Sequence, residues 1–188
     1  MSKDFPLPDG LPVPEDDGAA DHLQGLMMCD VSLTATNDTI VNLQELPHRT
    51  VLYVYPLTGR PDKDIIPDGW EDVPGARGCT PESRGFQSRY EELRGSGIRR
   101  VFGLSTQSVE YQREVRDRLQ LPFEMVSDAE WELSDELNLP TFSIESDEYL
   151  KRLTLIVSEG RIEHVFYPIF PPDEHANEVL RWIRNNPR

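Results

Sequence analysis

The chain has 188 residues, 34 of them acidic against 19 basic, with a formal net charge of −15 and a hydrophobic fraction of 37%. That length suits one domain around a single core, and the negative charge excludes a nucleic-acid backbone or an anionic membrane surface as the main partner. No apolar run approaches the roughly 18 residues of a membrane span, the start Met1-Ser-Lys-Asp-Phe-Pro6 lacks a signal peptide's apolar stretch, and two cysteines are too few for a disulfide-stapled secreted scaffold. The expected class is a soluble cytoplasmic protein. Its lysines are only Lys3, Lys63 and Lys151, and an acid-rich, lysine-poor surface suits a salty cytoplasm.

Residues 1–28 carry Pro6, Pro8, Pro12 and Pro14 and then Glu15, Asp16 and Asp17. Proline fixes φ and removes donors, so these residues are expected to form an extended arm, with the folded domain at 29–188. Val31–Leu33 and Ile40–Leu43 flank Asn37-Asp38 as a hairpin. Thr50–Tyr55, rich in β-branched and aromatic residues, reads as a central strand buried on both faces. A loop from Pro56 to Gly78 follows, and loops of this length inside compact domains are usually functional or disordered. Thr80-Pro-Glu-Ser83 predicts a helix start, with Thr80 as cap and Pro81 at the first position, running to about Arg94 before Gly95-Ser-Gly97. A strand is expected at Arg100–Ser105, a helix at Ser108–Leu119, a short strand at Phe123–Val126 and a helix at Ala129–Leu137. Leu153–Val157 and Ile162–Phe166 alternate around Glu159-Gly160 as a second hairpin, and Asp173 caps a last helix to Arg184. This order predicts an α/β fold with a central mixed β-sheet flanked by helices on both faces.

Cys79 stands out among the candidate reactive residues. It follows a strand and a long loop and precedes a helix start, where free N–H groups and the positive dipole end stabilise a thiolate. Arg77 and Arg84 lie close in sequence. The alternative is a buried, inert thiol. Three chemistries use such a thiolate. A Cys-x-x-Cys exchange pair fails because Glu82 occupies the second position. A phosphate-cradling Cys-x5-Arg loop fails because Arg84 is one residue too early. Peroxide reduction needs one thiolate, donors that polarise the O–O bond and an arginine that steadies the developing charge.

The stretch Gly78-Cys-Thr-Pro-Glu-Ser-Arg-Gly-Phe86 resembles the active-site loop of peroxiredoxins, especially the Q-type (bacterioferritin comigratory protein) group. Val51-Leu-Tyr-Val-Tyr-Pro56, Val101-Phe-Gly-Leu-Ser105, Leu121-Pro-Phe-Glu-Met-Val-Ser-Asp128 and Lys151-Arg-Leu-Thr-Leu-Ile156 with Gly160-Arg-Ile162 are similar to the family's segments in the same order, from about Cys29 to Arg184. The resemblance implies a thioredoxin-like fold. It also implies Cys79 as the peroxidatic cysteine, Arg152 as the arginine that activates it and binds peroxide, Pro56 as a shield of the site, and Glu82 as the acid that orients the arginines. The family has Thr or Ser three residues before the cysteine, where this chain has Ala76. Thr58, across the insertion after Pro56, is the candidate to fold back and supply that hydroxyl; capping a turn before Gly59 is the alternative. The family's local resolving cysteine is replaced by Arg84.

What these residues imply is a thiol peroxidase that reduces hydrogen peroxide or organic hydroperoxides through a sulfenic acid on Cys79. It would be of the one-cysteine type, recycled by an external thiol or a thioredoxin- or glutaredoxin-like reductant, with no cofactor or metal, as a monomer or homodimer. Two other readings stand beside it: a redox sensor relaying oxidation of Cys79 to a partner, and a family member whose Ala76 and Arg84 mark lost activity. Cys29 reads as a spare thiol rather than a resolving one. His22, His48, His164 and His175 have no metal-ligand spacing and are expected mostly at the surface. Trp70, Phe166, Tyr167 and Phe170 read as ordinary packing, the alternative being an apolar rim for organic hydroperoxides.

Overall fold

The computed structural model describes residues 7–188; the first six residues of the expected arm, Pro6 among them, lie outside it. Residues 7–17 run without regular structure. Residues 18–28, in the same arm, fold back in turns and bury Leu23 and Met28 in the core. The Met28 N–H donates to the Gly160 carbonyl at 2.7 Å, and Lys151 pairs with Asp17 at 2.7 Å.

The main sheet has seven strands. They are β1 (Ser32–Ala35), β2 (Ile40–Asn42), β3 (Thr50–Val54), β4 (Arg100–Ser105), β5 (Met125–Ser127), β8 (Leu153–Ser158) and β9 (Arg161–Phe166), in the spatial order β2-β1-β5-β4-β3-β8-β9. β3, β4 and β5 run parallel, while β1/β2, β1/β5, β3/β8 and β8/β9 pair antiparallel, so the sheet is mixed as expected. Every residue of β3 is buried, which is why its composition is β-branched and aromatic with no polar alternation.

The pleat of β3 divides the interior in two. Val51 and Tyr53 face a core built with Phe86 and Leu93 of α1 (Cys79–Gly95), Val115 and Leu119 of α2 (Val109–Leu119) and Val179 and Ile183 of α4 (His175–Asn185). Leu52 and Val54 face a second core with Leu23, Met28 and Leu133 of α3 (Glu132–Glu136). Two packed layers thus bury both faces of the sheet, the arrangement of a thioredoxin-like α/β fold.

Several element ends differ from the sequence expectation. α1 begins at Cys79 itself, capped by Gly78 in the left-handed region at φ 109°, so Thr80 lies inside the helix and is not its cap. α4 begins at His175, and Asp173 makes no capping bond. α3 is one short turn because Trp131 takes φ 61° and cannot be helical; the Asp128 carboxylate accepts from the Leu133 and Ser134 N–H groups instead. Ser108 does cap α2, accepting from the Tyr111 N–H. A hairpin the sequence did not announce, β6 (Thr141–Ile144) with β7 (Asp147–Leu150), forms a separate two-stranded sheet. Among the described residues no helix is long and apolar enough to cross a membrane.

Candidate active site

The site gathers where three segments end on one side of the sheet. β3 leads into Pro56, which is buried, and then into the loop 57–78. α1 starts at the end of that loop. β8 pairs antiparallel with β3, with Val54 opposite Leu153, so Arg152 is carried to the mouth of β3 by sheet register. The loop itself is pinned by Trp70, only 3% exposed, whose ring meets Phe142 of β6 at 5.7 Å and Tyr149 of β7 at 5.1 Å.

Cys79 is the first residue of α1 and is buried. Arg152 Nη2 donates to Cys79 Sγ at 3.1 Å and to the Ala76 carbonyl at 3.1 Å, and Nε donates to the Gly75 carbonyl at 3.3 Å. Nη1 pairs with Glu82 Oε2, one turn along α1 from the cysteine. The guanidinium is therefore held on four sides, with one edge aimed at the sulfur. Glu82 is 0% exposed, and its second oxygen, Oε1, has no partner among the described residues.

The electrostatics are opposed. Burial pushes the Cys79 thiol up, Arg152 and the Leu57 amide draw it down, and Glu82 pushes it up; the balance lies above the ordinary thiol value. Burial also raises the Glu82 carboxyl, against Arg152 and His175. For Arg152 burial works against the charge, but Cys79 and Glu82 outweigh it and hold the guanidinium above its usual range. A cationic donor beside a buried sulfur can stabilise a thiolate and, in the same geometry, negative charge that develops on an oxygen bound to it.

Of the residues singled out in the sequence, Cys79, Arg152 and Glu82 come together; Pro56 is buried at the end of β3, next to Leu57, whose amide faces the sulfur. Thr58 does not join them. It is buried, but its hydroxyl and its N–H both go to Gln107 Oε1 at 3.0 Å, and its carbonyl accepts from Gln107 Nε2 and from the Tyr111 hydroxyl. The insertion after Pro56 packs Thr58 against the start of α2, so its hydroxyl is spent there. What the third residue before the cysteine contributes is the Ala76 carbonyl, which orients Arg152 and accepts weakly from Sγ at 3.7 Å. That role needs no side chain, so nothing in residue type announces it.

His175 departs from the surface position expected for the histidines. It is 1% exposed, with Nε2 2.8 Å from Thr154 Oγ1 and Nδ1 3.0 Å from Glu178. Of the four aromatics, Trp70 lines a groove of about 440 Å³ beside Cys79, and Tyr167 lines a separate cavity of about 260 Å³ that reaches Arg152. Phe166 is core packing against His175, and Phe170 is exposed. Cys29 is half-buried and packs against the second core, across the sheet from Cys79.

The Redoxin family profile matches residues 23–180. The chain is 24% identical over 138 residues to a putative peroxiredoxin bcp of Coxiella burnetii, covering 70% of this chain and 78% of that one. It is 22% identical over 108 residues to the chloroplastic peroxiredoxin Q of Oryza sativa subsp. japonica, covering 57% of this chain and about half, 49%, of the relative. The crystal structure of peroxidoxin BcpB from Mycobacterium tuberculosis superposes with a TM-score of 0.69 at 21% identity, over 87% of this chain and 98% of that one, a likeness of fold.

Proposed function

Because the chain belongs to the redoxin family, and within it to the peroxiredoxins, we propose that it is a thiol peroxidase whose peroxidatic residue is Cys79. The observation that carries the assignment is the 3.1 Å contact from the buried Arg152 guanidinium to the sulfur at the first position of α1.

The thiolate attacks one peroxide oxygen and the O–O bond breaks. The sulfur becomes a sulfenic acid, two electrons pass to the peroxide, and the departing oxygen takes a proton to leave as water or alcohol. Arg152 acts twice. It stabilises the attacking sulfur, and its N–H groups face the oxygen on which charge develops. Glu82 fixes the guanidinium's plane, and Pro56 walls the site from water. Thr58 acts at one remove, by tying the loop after Pro56 to Gln107 and Tyr111. An external thiol or a thioredoxin-like protein then attacks the sulfenic sulfur, releases water, and a second thiol equivalent frees Cys79.

The test is turnover. Cys79→Ser is expected to abolish hydrogen peroxide consumption while keeping the far-ultraviolet circular dichroism and the unfolding midpoint of the parent. The parent is expected to consume many equivalents of peroxide with dithiothreitol. A stop near one equivalent would point to a sensor, and turnover surviving in Cys79→Ser would remove the residue from the chemistry.

A further inference from the structure

The groove beside Cys79 has a charge the rest of the molecule does not predict. In a chain with a net charge of −15, its charged lining residues are Arg60, Arg77, Arg84 and Arg118, and no acidic side chain lines it among the described residues. Three of these arginines are already paired: Arg60 with Asp62 at 2.6 Å, Arg77 with Glu71 at 3.0 Å and Arg118 with Glu114 at 2.7 Å. Arg84 has no carboxylate partner among the described residues. Nη1 makes one long bond, 3.4 Å, to Gln87 Oε1, and Nε is buried with no acceptor among the described residues. A guanidinium that lines a groove with one long bond and no carboxylate beside it keeps N–H donors for an anion.

The remaining wall is apolar, formed in part by Leu57, Ile66, Trp70 and Leu119, and the groove's volume of about 440 Å³ is far larger than hydrogen peroxide needs. We infer that this groove is a subsite for a small organic molecule bearing a carboxylate, with Arg84 as the group that receives the carboxylate and Cys79 as the group that meets the molecule's reactive end. A guanidinium fork matches a carboxylate in shape and charge, and the apolar wall suits an alkyl chain. Such a carboxylate comes from one of two sources, a hydroperoxide of an organic acid or an acidic thiol that reduces the sulfenate. The naming of these sources rests on Cys79 being the peroxide-reducing thiol; the anion site itself does not.

The first measurement is independent of peroxidase activity. The full chain is alkylated with iodoacetate, which is anionic, or iodoacetamide, which is neutral, and modification of Cys79 is followed by peptide mapping. The readout is the acetate-to-acetamide rate ratio, in which a general change in thiol reactivity cancels. Arg84→Gln is expected to lower that ratio about three- to tenfold, Arg84→Lys to keep most of it, and high salt to shrink the parent's ratio. A ratio unchanged in Arg84→Gln overturns the anion site.

The second measurement separates the sources. One arm compares a fatty-acid hydroperoxide with its methyl ester, and the other compares mercaptopropionate with mercaptoethanol as reductants of oxidised Cys79. A fall in the acid-to-ester kcat/KM ratio in Arg84→Gln assigns the hydroperoxide, and a fall in the acidic-to-neutral thiol ratio assigns the reductant. No change in either arm overturns the proposal. A parent that never consumes hydrogen peroxide defeats the peroxidase reading instead, and the alkylation ratio then decides the anion site alone.

Discussion

Burial disfavours the thiolate of Cys79, and one guanidinium is set against it. Glu82 does two opposed things: it fixes the plane of Arg152 and it repels negative charge on the sulfur. With the thiol value raised, the reactive fraction at neutral pH is the minor one and grows as pH rises. The rate of reaction with peroxide is therefore expected to climb across about pH 5 to 9, followed by stopped-flow kinetics or thiolate ultraviolet absorbance. Arg152→Ala removes the stabilising charge, so the profile moves to higher pH and attack at neutral pH slows by about a hundredfold or more. Arg152→Lys recovers part, since a compact ammonium cannot serve Glu82, the loop carbonyls and the sulfur together. Glu82→Gln keeps an acceptor for Arg152 and removes the repelling charge, so its profile moves to lower pH. Profiles unmoved in both Arg152→Ala and Glu82→Gln would take the pair out of the site. At this scale Cys79 was legible because a thiol at a helix start has a physical reason to be there. The partner of the Thr58 hydroxyl, Gln107, was not legible, because a hydroxyl carries no signal of which neighbour will claim it.

The start of α1 depends on a residue that has no side chain. Gly78 sits at φ 109°, and a Cβ there would come within 2.4 Å of Pro172 Cγ and 3.0 Å of Leu7 Cδ2. Gly78→Ala is therefore expected to lose about 1–3 kcal/mol of stability, by urea unfolding, and to slow peroxide attack by shifting Cys79. Gly95, at the far end of the same helix, meets nothing within 4 Å and has an ordinary φ. Gly95→Ala is expected to be neutral or to gain up to about 1 kcal/mol. If both alanines cost the same, the close approach at Gly78 is not what sets the helix start. Element existence was largely legible here, because β3 and β4 are short, mostly apolar runs bounded by turn residues and α2 carries a helical apolar period. The β6–β7 hairpin was not. Its strands are short and partly exposed, and its use in seating Trp70 depends on an aromatic contact made more than 70 positions away in sequence.

The sheet divides the molecule into two cores, and the two thiols fall on opposite sides of it. A disulfide needs Cα atoms within about 7 Å, and a sheet with packing layers of about 10 Å on each face stands between these two. Cys29→Ser is thus expected to keep most of the turnover supported by an external thiol. Non-reducing peptide mapping after one equivalent of peroxide is expected to find sulfenic acid on Cys79 and no Cys29–Cys79 linkage. Such a linkage in good yield would require the molecule to open across its sheet and would overturn the one-cysteine reading.

Sequence alone determined the order of the main-sheet strands and the helices, the mixed sheet and the single thiol at a strand–loop–helix junction. Each of these follows from local chemistry: hydrophobic period, turn residues, and the dipole at a helix start. Tertiary structure decided what surrounds that thiol. β3–β8 register brings Arg152 to Cys79, the start of α2 takes the Thr58 hydroxyl, and four arginines from the long loop, α1 and α2 line one groove with no acidic side chain among its described lining residues. Those are through-space coincidences of charge and donors, and spacing along a chain does not encode which distant groups a fold brings within 3 or 4 Å of one another.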